Sequence, residues 1–196
     1  MTTYAELQAD VFRATNRPDL VSETEMAIRK ATLRFHSADK WINDEVVQVV
    51  PVTPLFAGDF RYAILTTTFT RFRDLKMLKE YLNPPTWHWI QFEKRAPDDL
   101  LDDYKCEIQN YYTRVGNTLT VRAERAMTNL EATYYQFPVV TTAGYSSWIA
   151  DLYRDGIVRE AMLDIFQMTG KIGVDARVRS AEFNDQVSLL RQMAVV

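Results

Sequence analysis

The 196-residue chain has one cysteine, two histidines and six glycines, and each scarcity removes a class of chemistry. Cys106 alone closes no internal disulfide, so the fold must stand on its core, and a reducing compartment is the expected setting. With Lys105 beside it but no base at short range, Cys106 reads as a structural thiol rather than a nucleophile. His36 and His88 have no second His or Cys at ligand spacing, which argues against a zinc site. So few glycines leave little material for a phosphate-cradling loop, and the Gly-x-Ser-x-Gly elbow of the hydrolases is missing. Positive charge is not in excess: 23 Lys and Arg against 26 Asp and Glu give a net charge of −3, so no broad cationic field attracts nucleic acid or anionic lipid. The longest run without a charged residue, 132–150, contains Pro138 and Gly144 among tyrosines, threonines and serines, so no transmembrane span and no membrane partner are expected. The opening Met1-Thr2-Thr3-Tyr4-Ala5-Glu6 lacks the basic and apolar regions of a secretory signal. These absences predict a protein that is not an enzyme and takes no cofactor or metal.

What the sequence does contain is 47% apolar residues in 22.8 kDa, enough for a substantial core. Tyr4, Leu7, Val11 and Ala14 recur at helical spacing, and Pro18 stops the pattern, predicting a helix over 3–15. Ser22 with Glu25 has the capping-box spacing, and Thr24, Ile28, Ala31 and Phe35 continue one stripe to about Ser37. From Val46 the texture becomes β-branched. Strands are predicted over 46–52, 60–69, 72–82 and 87–94, with Pro51 marking an edge strand or a strand end. A short helix is expected over 96–104, opened by Pro97 and acidic residues. Gly116-Asn117 then joins two strands as a tight hairpin, and a further strand covers 130–137. Trp148 and Leu152, then Val158, Ala161, Ile165 and Met168, and finally Ala176, Ser180, Phe183, Val187, Leu190 and Ala194 return to helical spacing.

The expected fold class is therefore α+β: a helical bundle built from N- and C-terminal helix pairs, with an inserted antiparallel β-rich lobe. The corresponding division is 1–40, 41–145 and 146–196, with the two terminal hairpins packed as one helical domain.

Two clusters invite a chemical reading. Asp98, Asp99, Asp102 and Asp103 place like charges at i,i+4, as a cation site or a solvated acidic cap would, and the further oxygen ligands of an EF-hand are missing. Trp87-His88-Trp89, Tyr111-Tyr112 and Tyr134-Tyr135 could stack bases, but basic residues do not interleave with them, which favours core and interface packing.

Three segments in order resemble a known family. Met1-Thr2-Thr3-Tyr4-Ala5-Glu6-Leu7 with Asn16-Arg17-Pro18-Asp19-Leu20-Val21 resembles the start of the head-to-tail adaptor (head completion or connector) proteins of tailed bacteriophages. Phe72-Arg73-Asp74-Leu75-Lys76 and Val115-Gly116-Asn117-Thr118-Leu119-Thr120-Val121-Arg122 resemble that family's central strands and hairpin. Tyr134-Tyr135-Gln136-Phe137-Pro138, Ser146-Ser147-Trp148-Ile149-Ala150-Asp151 and the helical tail are similar to its C-terminal half. Gly156 departs from the bulkier residue usual there, and a kink is expected at the helix start.

The resemblance implies a virion structural protein at the head–tail interface, assembled in the host cytoplasm. It implies a homo-oligomeric ring, twelvefold in the family, that joins the portal protein to tail or nozzle proteins and lets double-stranded DNA pass without specific binding. The alternatives are a tail completion or terminator ring and, from another class, a small intracellular nucleic-acid-binding module. Ring subunits need two unlike complementary surfaces. Thr66, Thr67 and Thr68 are the candidate inter-subunit edge strand, against the reading of an ordinary internal strand. The apolar end Arg191, Gln192, Met193, Ala194, Val195 and Val196 is the candidate portal-docking segment, against the reading of a frayed terminus. Asp98, Asp99, Asp102 and Asp103 are candidates for an acidic channel lining or an exposed outer surface.

Overall fold

A computed structural model of the chain describes residues 1–56, 60–81, 90–97, 110–170 and 176–194, without the side chains of 176–178. The chain divides into two compact units, one formed by Met1–Asn43 with Phe137–Val196 and the other by Asp44–Gln136.

In the first unit, helix α1 (Tyr4–Thr15) is opened by a capping box, in which Glu6 N–H donates to Thr3 Oγ1 and Thr3 N–H donates to the Glu6 carboxylate at 2.7 Å. It ends at Asn16, whose φ of 52° is the left-handed conformation that stops a helix. Helix α2 (Val21–Ser37) starts at Leu20 without a side-chain cap, so Ser22 and Glu25 lie inside the helix and the predicted box is not used. The closing segment holds three helices: α3 (Trp148–Leu152), α4 (Arg154–Met168) and α5 (Ala176–Ala194). The chain breaks between α3 and α4 at Tyr153, whose ring folds over the start of α4. A Cβ on Gly156 would stand 2.1 Å from that ring, so any larger residue there must displace it. Leu7 and Val11 of α1, Ile28 and Phe35 of α2, Ile157 and Ile165 of α4, and Leu190 of α5 build one core.

The second unit is a seven-stranded sheet made of β1 (Glu45–Pro51), β2 (Arg61–Leu65), β3 (Phe72–Glu80), β4 (Gln91–Lys94), β5 (Tyr111–Val115), β6 (Thr118–Arg122) and β7 (Asn129–Gln136). Their order is β1-β7-β3-β4-β5-β6-β2. All pairs are antiparallel except β4 with β5, which run parallel through Glu93↔Tyr111 and Lys94↔Tyr112. Gly116 turns the β5–β6 hairpin with φ +57°. Tyr62, Leu78, Leu119, Leu130 and Tyr134 lie at the centre of the sheet's own core.

This corrects the expected fold class. The β region is not an antiparallel lobe inserted in a helical bundle; it is a strand-dominated, mixed seven-stranded sheet with its own core, and the described residues also form five α-helices. The error has a physical source: periodicity identifies single strands, whereas strand order and the parallel pair depend on partners far away in sequence. The pattern also merged α3 and α4 into one helix of a closing pair, because the break at Tyr153 comes from backbone geometry that apolar spacing does not encode.

Thr66, Thr67 and Thr68 are likewise not an edge strand. They form a 3-10 turn after β2, with Thr66 buried, Thr66 N–H donating to Asn117 O and Phe69 N–H closing the turn on Thr66 O. Their β-branched side chains suit strands, but the chain must turn there to reach β3.

Candidate functional site

The most polar interior lies in the helical unit. Glu160 and Asp164, one turn apart on α4, are both buried. Arg34 of α2 reaches Glu160 at 2.7 Å, and Lys30 reaches Asp164 at 3.1 Å. Arg179 of α5 binds both carboxylates, at 3.3 Å to Glu160 and through a close contact to Asp164. Burial opposes the charge of Arg179, but its hydrogen bond to Asp164 and the two carboxylate charges outweigh this and hold its pKa above the usual value. The Arg34 guanidinium also lies 3.9 Å over the Phe183 ring. Both carboxylates are thus ion-paired, which suits pinning three helices together rather than moving protons.

A second cluster joins residues more than a hundred positions apart. His36 Nε2 lies 2.9 Å from Ser147 Oγ, and Thr32 Oγ1 lies 2.8 Å from the Tyr145 hydroxyl. Burial pushes the Tyr145 phenol up, and hydrogen bonds from Thr32 and Ser147 partly offset this. A Ser–His pair has the elements of a nucleophile, and sequence reasoning missed it because no local motif links the two residues. Here Ser147 Oγ caps α3 by accepting the Ala150 N–H, and both Ser147 and His36 are buried beside Trp148. The pair anchors a helix start.

Surface features are more open. A groove of about 470 Å³ is lined by Met26, Ala27, Lys30, Asp164, Gln167 and Met168, and its neighbour on α2 adds Arg29, Leu33 and Arg34. A smaller cavity of about 300 Å³ includes Trp41, Ile42, Trp148, Arg191 and Ala194 in its walls. In the sheet unit, Leu55, Phe56 and Phe60 are exposed before β2, with Phe56 at 67%.

The candidate docking segment is tied down at its start. Arg191 pairs with Asp39 at 2.6 Å, Ala194 packs against the helical core, Gln192 is exposed and Met193 half-buried. Val195 and Val196 lie outside the described residues, as do Asp98, Asp99, Asp102, Asp103, Cys106 and the Trp87-His88-Trp89 segment. Among the described residues, no group of three or more His, Cys, Asp or Glu is placed to hold a metal ion, and no helix is long and apolar enough to cross a membrane.

No known protein family and no curated protein matches the chain.

Proposed function

We propose that the protein is a head-to-tail adaptor: a virion structural subunit, without enzymatic activity, whose ring joins the portal to the tail and forms part of the DNA ejection channel. The observation that carries this reading is the order of the family-like segments along nearly the whole chain, from Met1–Leu7 through Val115–Arg122 to Ser146–Asp151. Two features support it. The exposed Leu55, Phe56 and Phe60 in the sheet unit and the Met26–Met168 groove in the helical unit are unlike apolar surfaces, which head-to-tail association requires. The net charge of −3 suits a channel through which DNA must slide without a tight grip.

In this reading Arg191–Val196 dock on the portal, with the Arg191–Asp39 pair tying the last turn of α5 to the helical unit. Asp98, Asp99, Asp102 and Asp103 line the channel. The decisive experiment mixes the purified chain with portal and images the product by negative stain. Rings seated on the portal are expected, and removal of Met193–Val196 should weaken docking while leaving the monomer folded. Steeply salt-dependent binding to single-stranded DNA, with no portal binding, overturns the reading.

A further inference from the structure

The two ends of the sheet are finished differently. At the β2 end the chain covers its own edge: Pro54 bridges Tyr62, and Leu55 N–H donates to Arg61 O at 2.8 Å. At the other end β1 is the last strand, paired with β7 from Glu45↔Tyr135 to Pro51↔Asn129 without a bulge. Among the described residues its second edge has no backbone partner. Val52 N–H donates to Thr128 O, so by the period of two the N–H groups of Val50, Gln48 and Val46 also face β7. Those of Glu45, Val47 and Val49 therefore face outward, and Pro51 stands where the next outward N–H would be.

Natural sheets blunt such edges with lysine, proline or bulges, and residues 46–50 contain none of these. Val47 is 60% exposed and Val49 41%, both on the outer face. The Gln48 side chain is engaged within the unit by Thr68 O, Thr70 N–H and the Tyr134 hydroxyl. Flanking charges are paired within the chain, Glu45 with Lys76 and Glu131 with Lys79. The sequence Val46-Val47-Gln48-Val49-Val50 also reads identically in both directions about Gln48.

From these observations we propose that the open edge of β1 binds β1 of a second copy of this chain, antiparallel, with a two-fold axis at Gln48. Val47 then faces Val49 of the other copy and exchanges both backbone hydrogen bonds with it, while Val46 faces Val50. Glu45 falls opposite Pro51, so no like charges meet. The contact is isologous, because pairing one edge with the same edge of a second copy about a two-fold axis is antiparallel. It is distinct from the head-to-tail contact of a ring and does not rest on the adaptor reading. A contact through one strand edge belongs with the small, transient interfaces.

The test is sedimentation equilibrium of the full chain without portal. Wild type is expected to dimerise with concentration, Val49→Lys to weaken the dimer at least tenfold, and Leu65→Lys, at an exposed position on β2, to leave it unchanged. Circular dichroism checks that both variants fold. With Cys106→Ser in every chain, a mixture of Val47→Cys and Val49→Cys should cross-link more than either alone, since the cysteines then face each other. A monomer at all concentrations, equal weakening by both lysines, or cross-linking independent of mixing overturns the proposal. Loss of portal rings, by contrast, would overturn only the adaptor reading.

Discussion

The helical and sheet units solve the same problem by opposite means. In the helical unit each backbone satisfies its own hydrogen bonds, so side chains must make the tertiary contacts, and Glu160 and Asp164 bind Arg34, Lys30 and Arg179 across three helices. In the sheet unit the backbone itself joins the elements, and the buried carboxylates take simpler pairs, Glu80 with Arg125 and Asp44 with Arg73. Side-chain charge is therefore central to one unit and secondary in the other, where the open backbone edge remains.

Substitutions can break or sharpen this contrast. Glu160→Ala removes the carboxylate of Arg34 and one of the two held by Arg179, and should cost about 3–4 kcal/mol in urea unfolding. Amide exchange should accelerate in α4 far more than in β7; equal acceleration would make the two units one cooperative body. Gly156→Ala drives a methyl into the Tyr153 ring, which stands edge-on to Phe35, and should cost about 2 kcal/mol. Adding Tyr153→Ala should cost less than the sum of the single changes, and strict additivity would exclude the clash as the cause.

In the sheet, Glu80→Gln weakens a two-point contact, at 3.2 and 2.6 Å, to the half-exposed Arg125. A loss of about 1–2 kcal/mol is expected, seen in exchange of β3 amides and not in α4. A loss as large as that of Glu160→Ala would erase the contrast. The smallest effect, about 1 kcal/mol, is expected for Thr3→Ala at the α1 cap. Hydrogen bonds from the Thr3 backbone and side chain hold the Glu6 carboxyl below its usual pKa. Its contribution is thus present at neutral pH and lost as pH falls through the depressed value. Carboxyl titration by NMR should show Glu6 move up toward the ordinary range in Thr3→Ala.

The sequence made the local layer readable and the distant one opaque. The stripe Thr24, Ile28, Ala31 and Phe35 is buried as its spacing predicts, and Phe72–Glu80 is a strand although its leucines also fit a helix. Gly116-Asn117 marked its hairpin correctly because turn chemistry is local. Thr66–Thr68 misled because propensity carries no information about where a chain must reverse. The Ser22–Glu25 spacing attracted the capping reading, while the working box was Thr3 with Glu6. His36 with Ser147, and Glu160 with Arg34, join α2 to residues more than a hundred positions later, and no local pattern predicts which residues folding brings together.

The pairing of β1 with β7 also bears on synthesis. Val47 meets Thr133, eighty-six residues later in the chain. At about 5–20 residues per second, β1 leaves the ribosome roughly 4–17 s before its partner β7 is made. During that interval both edges of a valine-rich strand are bare, which is an aggregation hazard for the nascent chain.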